Sequence, residues 1–236
     1  DYATPEMFGA RVNDSTFNSG AAINAAIAFK KKVKLKAGTY YSTEKILINR
    51  NDFILEGEGK FNTVIQTKSG FSGSALVAVG SAAMQPYDVT VKNLRINSNA
   101  SGTGTNVSAL EIDAQYNIDI DNCWMQGGDY DGTLTAGVNV KLSKHLRFTS
   151  CNFTNGVSYG VMFSGAAYDD TMFNDCQFDE NQVDIIVLST GYVQRGNILG
   201  CSFGQSYVNG TYPTPVVNKN IYAGTASTID YLSVIN

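Results

Sequence analysis

Apolar and polar positions alternate along most of the chain, and the alternation slips by one residue at regular intervals. Asn117-Ile118-Asp119-Ile120-Asp121-Asn122-Cys123-Trp124-Met125 shows the pattern, with the slip at Asn122-Cys123. The same phrase returns at Leu146-Arg147-Phe148-Thr149-Ser150-Cys151-Asn152-Phe153, at Thr171-Met172-Phe173-Asn174-Asp175-Cys176-Gln177-Phe178 and at Asn197-Ile198-Leu199-Gly200-Cys201-Ser202-Phe203. An earlier copy, Val89 to Ile96, carries Leu94 in the cysteine slot. A period of two predicts strands, and a one-residue slip predicts a bend between two of them. A second family of alternating segments precedes each phrase, at Ala109–Asp113, Gly137–Lys141, Gly160–Ser164 and Asp184–Leu188.

Cys123, Cys151, Cys176 and Cys201 lie 28, 25 and 25 residues apart. Repetition at 20–30 residues is the mark of a solenoid. The fixed leucine frame of leucine-rich repeats is missing, which leaves a right-handed parallel β-helix, an all-β fold of short strands and polar turns. Equivalent positions then stack along the axis about 4.8 Å apart. The four cysteines are expected as an interior column of free thiols, because parallel side-chain vectors do not favour a disulfide. Met125, Phe153, Phe178 and Phe203 are expected as a second column.

The first 40 residues read differently. Ala22, Ile23, Ala26, Ile27 and Phe29 make an apolar helical face, so a helix near residues 20–31 is predicted, with Ser19 as N-cap and Lys30, Lys31 and Lys32 at the negative end of its dipole. It would cover the open edge of the first coil, and residues 41–236 would form the coils.

Composition narrows the functional classes. Charged residues are 16% of 236, aromatic residues 11%, and the net charge is −4. A helical bundle and a disordered chain are both disfavoured. The absence of a basic stripe argues against nucleic acid as a partner. No apolar run reaches the length of a membrane span, so membrane insertion is not expected. The chain opens at Asp1 without a leader-like segment, as a processed or trimmed product would. No metal is expected, since the one histidine cannot build a two-histidine site. Asp129-Tyr130-Asp131-Gly132 has Val140 where the last carboxylate of a calcium loop would stand. No cofactor is implied.

Thr4-Pro5-Glu6-Met7-Phe8-Gly9-Ala10, the Ala22–Ala28 helix, Ala37-Gly38-Thr39-Tyr40 and Leu55-Glu56-Gly57-Glu58-Gly59 follow one another in that order. This series resembles the start of the pectate-lyase-like β-helix domain of bacteriophage tailspike proteins. Arg11 to Thr16 departs from the Asp-rich stretch of many relatives, and Leu35-Lys36 replaces their Leu-Pro. The resemblance implies a homotrimeric protein of the virion tail that binds, and often cleaves, bacterial surface polysaccharide (capsule or O-antigen). A non-catalytic adhesin or structural module of the virion is the alternative, and a free bacterial polysaccharide lyase or hydrolase is a further one. Fold alone does not choose among them.

Two carboxyls flanking a glycosidic bond are the chemistry to look for. Turns of successive coils would offer them about 5 Å apart, and turns two coils apart about 9–10 Å, near retaining and inverting geometries respectively. The turn after Met125 carries Asp129 and Asp131, and two coils on stand Asp179 and Glu180, so these four are the candidate catalytic residues. For any one of them taken singly, a solvated turn is the plainer reading. Tyr130 lies in the same turn as a candidate sugar contact. A second row, Lys144-His145 over Asp169-Asp170, would suit proton abstraction from a uronic acid polymer or would form a salt-linked column. The Gly-His-Gly and Arg-Ile-Lys motifs of pectin enzymes are absent. Trp124, the single tryptophan, points outward by alternation and either stacks on a pyranose or buries in a subunit contact. Met162, Ile186 and Leu188 fall on outward positions and suggest a trimer seam.

Overall fold

A computed structural model describes residues 1–98, 107–127, 136–154, 159–165, 168–181, 183–188, 192–204, 219–223 and 228–235. It is a parallel β-solenoid with one short α-helix near its start. Three ladders of parallel strands run along it. The first face stacks Lys32–Lys34, Phe53–Glu56, Tyr87–Lys92, residues 116–121, residues 144–149, Met172–Asn174, residues 197–199 and residues 233–235. The second stacks residues 38–42, residues 63–67, Arg95–Asn97, Trp124–Gln126, Asn152–Thr154, Gln177–Asp179 and Ser202–Phe203. The third runs from residues 46–48 through residues 75–80, 108–113 and 136–142 to Tyr159–Phe163, Val183–Val187 and Lys219–Ala223.

The slip in the alternation has a backbone cause. Asn93, Asn122, Ser150 and Asp175 each adopt φ between 47° and 57°, and Gly200 takes the fifth place at 59°. This left-handed conformation turns the chain from the first face into the second, and glycine, asparagine and aspartate accept it most readily. The next residue is then thrown into the interior at Leu94, Cys123, Cys151, Cys176 and Cys201, all buried. All four cysteines are free. The Cys123, Cys151 and Cys176 thiols each donate to a carbonyl one coil earlier, of Val91, Ile120 and Phe148. Burial pushes the Cys123 thiol up to about 12. The neighbouring Cys151 thiol and burial do the same for Cys176.

Interior positions of the second face form one column: Tyr40, Ile65, Ile96, Met125, Phe153, Phe178 and Phe203. Its rings lie parallel, with Phe153 and Phe178 at 4.6 Å and Phe178 and Phe203 at 5.1 Å. Phe148 and Phe173 stack at 5.0 Å on the first face and meet this column edge to face. Parallel stacking along the axis and edge contact across it are both favourable ring geometries.

The helix spans Gly20–Phe29 and buries Ala22, Ile23, Ala26 and Ile27. Asn24 shows how it closes the open edge. Its amide donates to the Lys45 carbonyl and accepts from the Leu47 N–H, pairing strand groups that have no earlier coil. Three local expectations are corrected. Ser19 holds the N-cap position, its carbonyl accepting the Ile23 N–H, but its side chain makes no cap bond: the hydroxyl is engaged with the Arg11 backbone, and Asn18 accepts the Gly20 N–H. The carbonyls at the other end belong to Arg50, which donates to Ile27 and Ala28, while Lys30, Lys31 and Lys32 pair with Asp1, Asp52 and Glu56. Phe29 is 58% exposed and packs edge-on against Phe8 rather than under the helix.

The outward apolar residues of the third face are also corrected. Met162 and Ile186 are in register on adjacent strands and are each only 5% exposed in the single chain. They bury against Ala136 with Tyr159, Val183 and Leu188 packed around them, so apolar side chains stacked one per coil cover one another. They do not form an open seam.

Phe178 sits mid-column between Phe153 and Phe203. Phe178→Ala is expected to cost roughly 3–5 kcal/mol, read from the shift in urea denaturation midpoint, as for other core aromatic truncations.

Candidate functional site

The outward positions of the second face alternate with the phenylalanine column. Arg95, Trp124, Asn152, Gln177 and Ser202 make one row, and Asn97, Gln126, Thr154 and Asp179 the next. A turn of residues 57–62 leaves an early coil and lies over this face. Its root is fastened to the following coil, where Gly57 N–H donates to the Lys92 carbonyl and Gly59 N–H to that of Asn93. A Cβ on Gly57 would stand 2.3 Å from the Asn93 carbonyl oxygen, so the close approach requires glycine. From this root Lys60 donates to the Ser150 carbonyl at 2.8 Å and to Asn152 Oδ1 at 2.7 Å. Phe61 sets its ring edge-on to Trp124 at 5.7 Å and remains 73% exposed.

Trp124 is half-buried, and its indole is not a free platform. The Arg95 guanidinium lies 4.1 Å from the ring centroid, and the indole N–H donates to Thr154 Oγ1 at 2.6 Å. The exposed aromatic surface is that of Phe61, which Trp124 props. Between them and the later coils opens a groove of about 420 Å³ lined by Lys60, Phe61, Asn152, Asp175, Gln177 and Ser202. Asn152 donates to Gln177, so the two amides that line the groove are hydrogen-bonded to each other, and beside it Arg95 donates to Gln126.

Asp129, Tyr130 and Asp131 lie outside the described residues. Asp179 ends the Gln177–Asp179 strand and accepts the Glu180 N–H at 3.0 Å, while Glu180 is exposed with φ 57°. Near them is a carboxyl the sequence did not mark. Asp184 is 5% exposed and accepts from Asn181, whose amide also donates to the Phe153 carbonyl. Burial, opposed by the Asn181 bond and aided by the charge of Asp179, raises its pKa from 3.8 to about 6.

The second predicted row assembles on the corner between the third and first faces, away from Trp124. Tyr116, Lys144, Asp169 and Gln194 are in register, with Tyr87 stacked on Tyr116 at 5.2 Å. His145 Nδ1 stands 3.2 Å from Asp170, and Arg195 reaches both Asp169 and Asp170. The Arg195 hydrogen bonds hold the Asp169 carboxyl below its usual range. The corner is therefore a salt-linked network in which Arg195 bridges both carboxylates.

Sequence reasoning found Trp124 and Asp179 on the groove side but missed Lys60, Phe61, Arg95, Asn152 and Gln177. Alternation marks Arg95, Asn152 and Gln177 as outward, which was the available signal. Nothing local shows that the 57–62 turn lands three strands further on.

No protein-family model matches the sequence, and no curated protein matches it. Solved structures do. The chain is similar to ORF18 of Geobacillus virus E2, with TM-score 0.72 and 20% identity over 99% of this chain and 47% of that one. It is similar to the gp42 tailspike of Acinetobacter phage vb_AbaP_AS12, with TM-score 0.65 and 12% identity over 99% and 45%. Tailspike protein 3 of bacteriophage CBA120 gives TM-score 0.59 and 17% identity over 98% and 37%. The protein is a parallel β-helix of the type found in phage tailspikes. At these identities the likeness is one of fold, and the chain spans less than half the length of each of these three proteins.

Asp184 gives a pH test. Between about pH 4 and pH 6 the folded state keeps a proton that the unfolded chain releases, so stability falls as pH rises through that window and then levels. Asp184→Asn, which imitates the protonated acid, is expected to raise the melting temperature at pH 7 and to leave it unchanged at pH 4.

Proposed function

We propose that this is a tailspike-type host-recognition protein of a virion tail that binds bacterial surface polysaccharide along the second face. The carrying observation is Phe61, an exposed ring held rigidly over a row of amides and cations. Aromatic faces beside fixed hydrogen-bonding side chains suit pyranose rings, which are apolar on their faces and polar at their edges. The fold shared with two named tailspikes supports the same reading. Asp179 and Glu180 are the described carboxyls for glycosidic cleavage, and Asp129 and Asp131 stay candidates as their partners. Lys144, His145, Asp169 and Asp170 are second in line, because both carboxylates are already paired with Arg195.

Incubation with purified capsular and O-antigen polysaccharides tests the reading. New reducing ends identify a hydrolase, absorbance of an unsaturated uronate a lyase, and binding without either an adhesin. Phe61→Ala is expected to weaken binding on the order of tenfold, the loss of about one ring contact, with the melting temperature unchanged. Full affinity in that variant would remove the groove from consideration. A homotrimer is proposed with this function. Light scattering is expected to give three times the 25.4 kDa chain mass, and a monomer at micromolar concentration would overturn it.

A further inference from the structure

Three successive coils supply the same two positions to the groove: Ser150 and Asn152, Asp175 and Gln177, Gly200 and Ser202. The first of each pair is the left-handed corner, and the second is the outward residue that follows it. Lys60 fixes the polarity of this row. An ammonium can only donate, so the Asn152 amide must turn its oxygen towards Lys60, at 2.7 Å. The Asn152 NH2 is then directed to the next coil, where it donates to Gln177 Oε1 at 2.9 Å. With its oxygen engaged, Gln177 is left with its NH2 as the outward group, and that NH2 has no acceptor among the described residues.

Asp175 stands two residues before Gln177 on the same coil and is exposed. Its carboxylate, an acceptor only, makes no hydrogen bond or ion pair among the described residues. The next corner carries no side chain. A Cβ on Gly200 would lie 2.6 Å from Asp175 Oδ1, so the carboxylate lies over the space that Gly200 leaves. One coil of the groove thus presents an acceptor beside a donor, both without partners among the described residues. The ammonium of Lys60 is engaged one coil away, with the Ser150 carbonyl and Asn152.

We propose that Asp175 and Gln177 form a subsite for adjacent hydroxyls of a neutral sugar, one donating to the carboxylate and the other accepting from the amide. The polysaccharide recognised is then uncharged at this position. The inference rests on the groove reading above. A hydroxyl that donates to a carboxylate makes a charge-assisted bond, stronger than one between neutral groups. A uronate at the same place cannot donate to Asp175 and sets like charges together. The ammonium of an amino sugar cannot accept from Gln177. Only hydroxyls answer both groups, and the Phe61 face remains free for the apolar side of a ring.

The whole chain is titrated with the tetramers of glucose, galactose and mannose, with those of the matching uronic acids, and with the glucosamine tetramer at about pH 6, where its amines are charged. Trp124 emission is the signal, because Phe61 rests edge-on against that ring. At least one neutral tetramer is expected to bind saturably and roughly tenfold more tightly than either charged counterpart. Asp175→Asn installs the residue that Asn93 and Asn122 carry at the same left-handed corner, so the fold is expected to hold. It is expected to weaken the neutral tetramer on the order of fivefold or more and to narrow the gap to the uronic one. Gln177→Glu keeps the acceptor for Asn152 but loses the donor, and is expected to weaken the neutral tetramer likewise. If no neutral tetramer binds, if a charged one binds as tightly, or if either variant binds unchanged, the hydroxyl subsite is overturned. Phe61→Ala separates that failure from failure of the groove. Polysaccharide binding that depends on Phe61 keeps the groove reading, whereas binding indifferent to Phe61 removes both.

Discussion

Everything in this molecule depends on the parallel hydrogen-bond ladder that holds each coil in register with the next. Because the ladder repeats at about 4.8 Å, a side chain's chief neighbours are its counterparts one coil away. A choice made once must therefore be made again. Phenylalanine in one coil favours phenylalanine above it, and a left-handed corner must be followed by another. The same rule governs polar groups. Glu111 is almost buried on the third face, where burial would raise its pKa. Lys141 at 2.8 Å and Lys45 at 3.6 Å outweigh that penalty and hold it below the ordinary range. With Ser74 also donating, one carboxylate ties together four successive strands of that face.

This rule explains what the sequence made legible. Cysteine spacing gave the coil length, alternation gave the inside and outside of each strand, and Asn, Ser, Asp or Gly before each column residue marked the corner. These signals are local and are repeated several times, so each copy supports the others. Features that occur once were misread or missed. Ser19 holds the N-cap position, but its hydroxyl is claimed by the Arg11 backbone. Met162 and Ile186 obey the outward alternation yet lose their exposure to neighbours on the same face. Trp124 points outward as alternation requires, but its face is occupied by Arg95, a contact between coils that no single phrase contains.

The two polar surfaces differ in how their charges are settled. At the corner of the third and first faces, His145, Asp169, Asp170 and Arg195 satisfy one another in an exposed network, where such pairs add little to stability. On the second face the cations are held by neutral acceptors, and the Phe61 ring beside Lys60 is left in solvent. The first arrangement resembles an ordinary protein surface. The second leaves its interactions incomplete.

The turn at residues 57–62 places a metric constraint on a fold that otherwise tolerates growth. A solenoid accepts an added or deleted coil, because each coil contacts only its neighbours. Lys60 and Phe61 break that locality by reaching past Arg95–Asn97 and Trp124–Gln126 to Asn152, a span of about 14 Å along the axis. The number of coils between the root of the turn and its landing point is therefore fixed, while coils beyond Asn152 are free of this restriction. Length variation in proteins sharing this device would have to fall outside that interval.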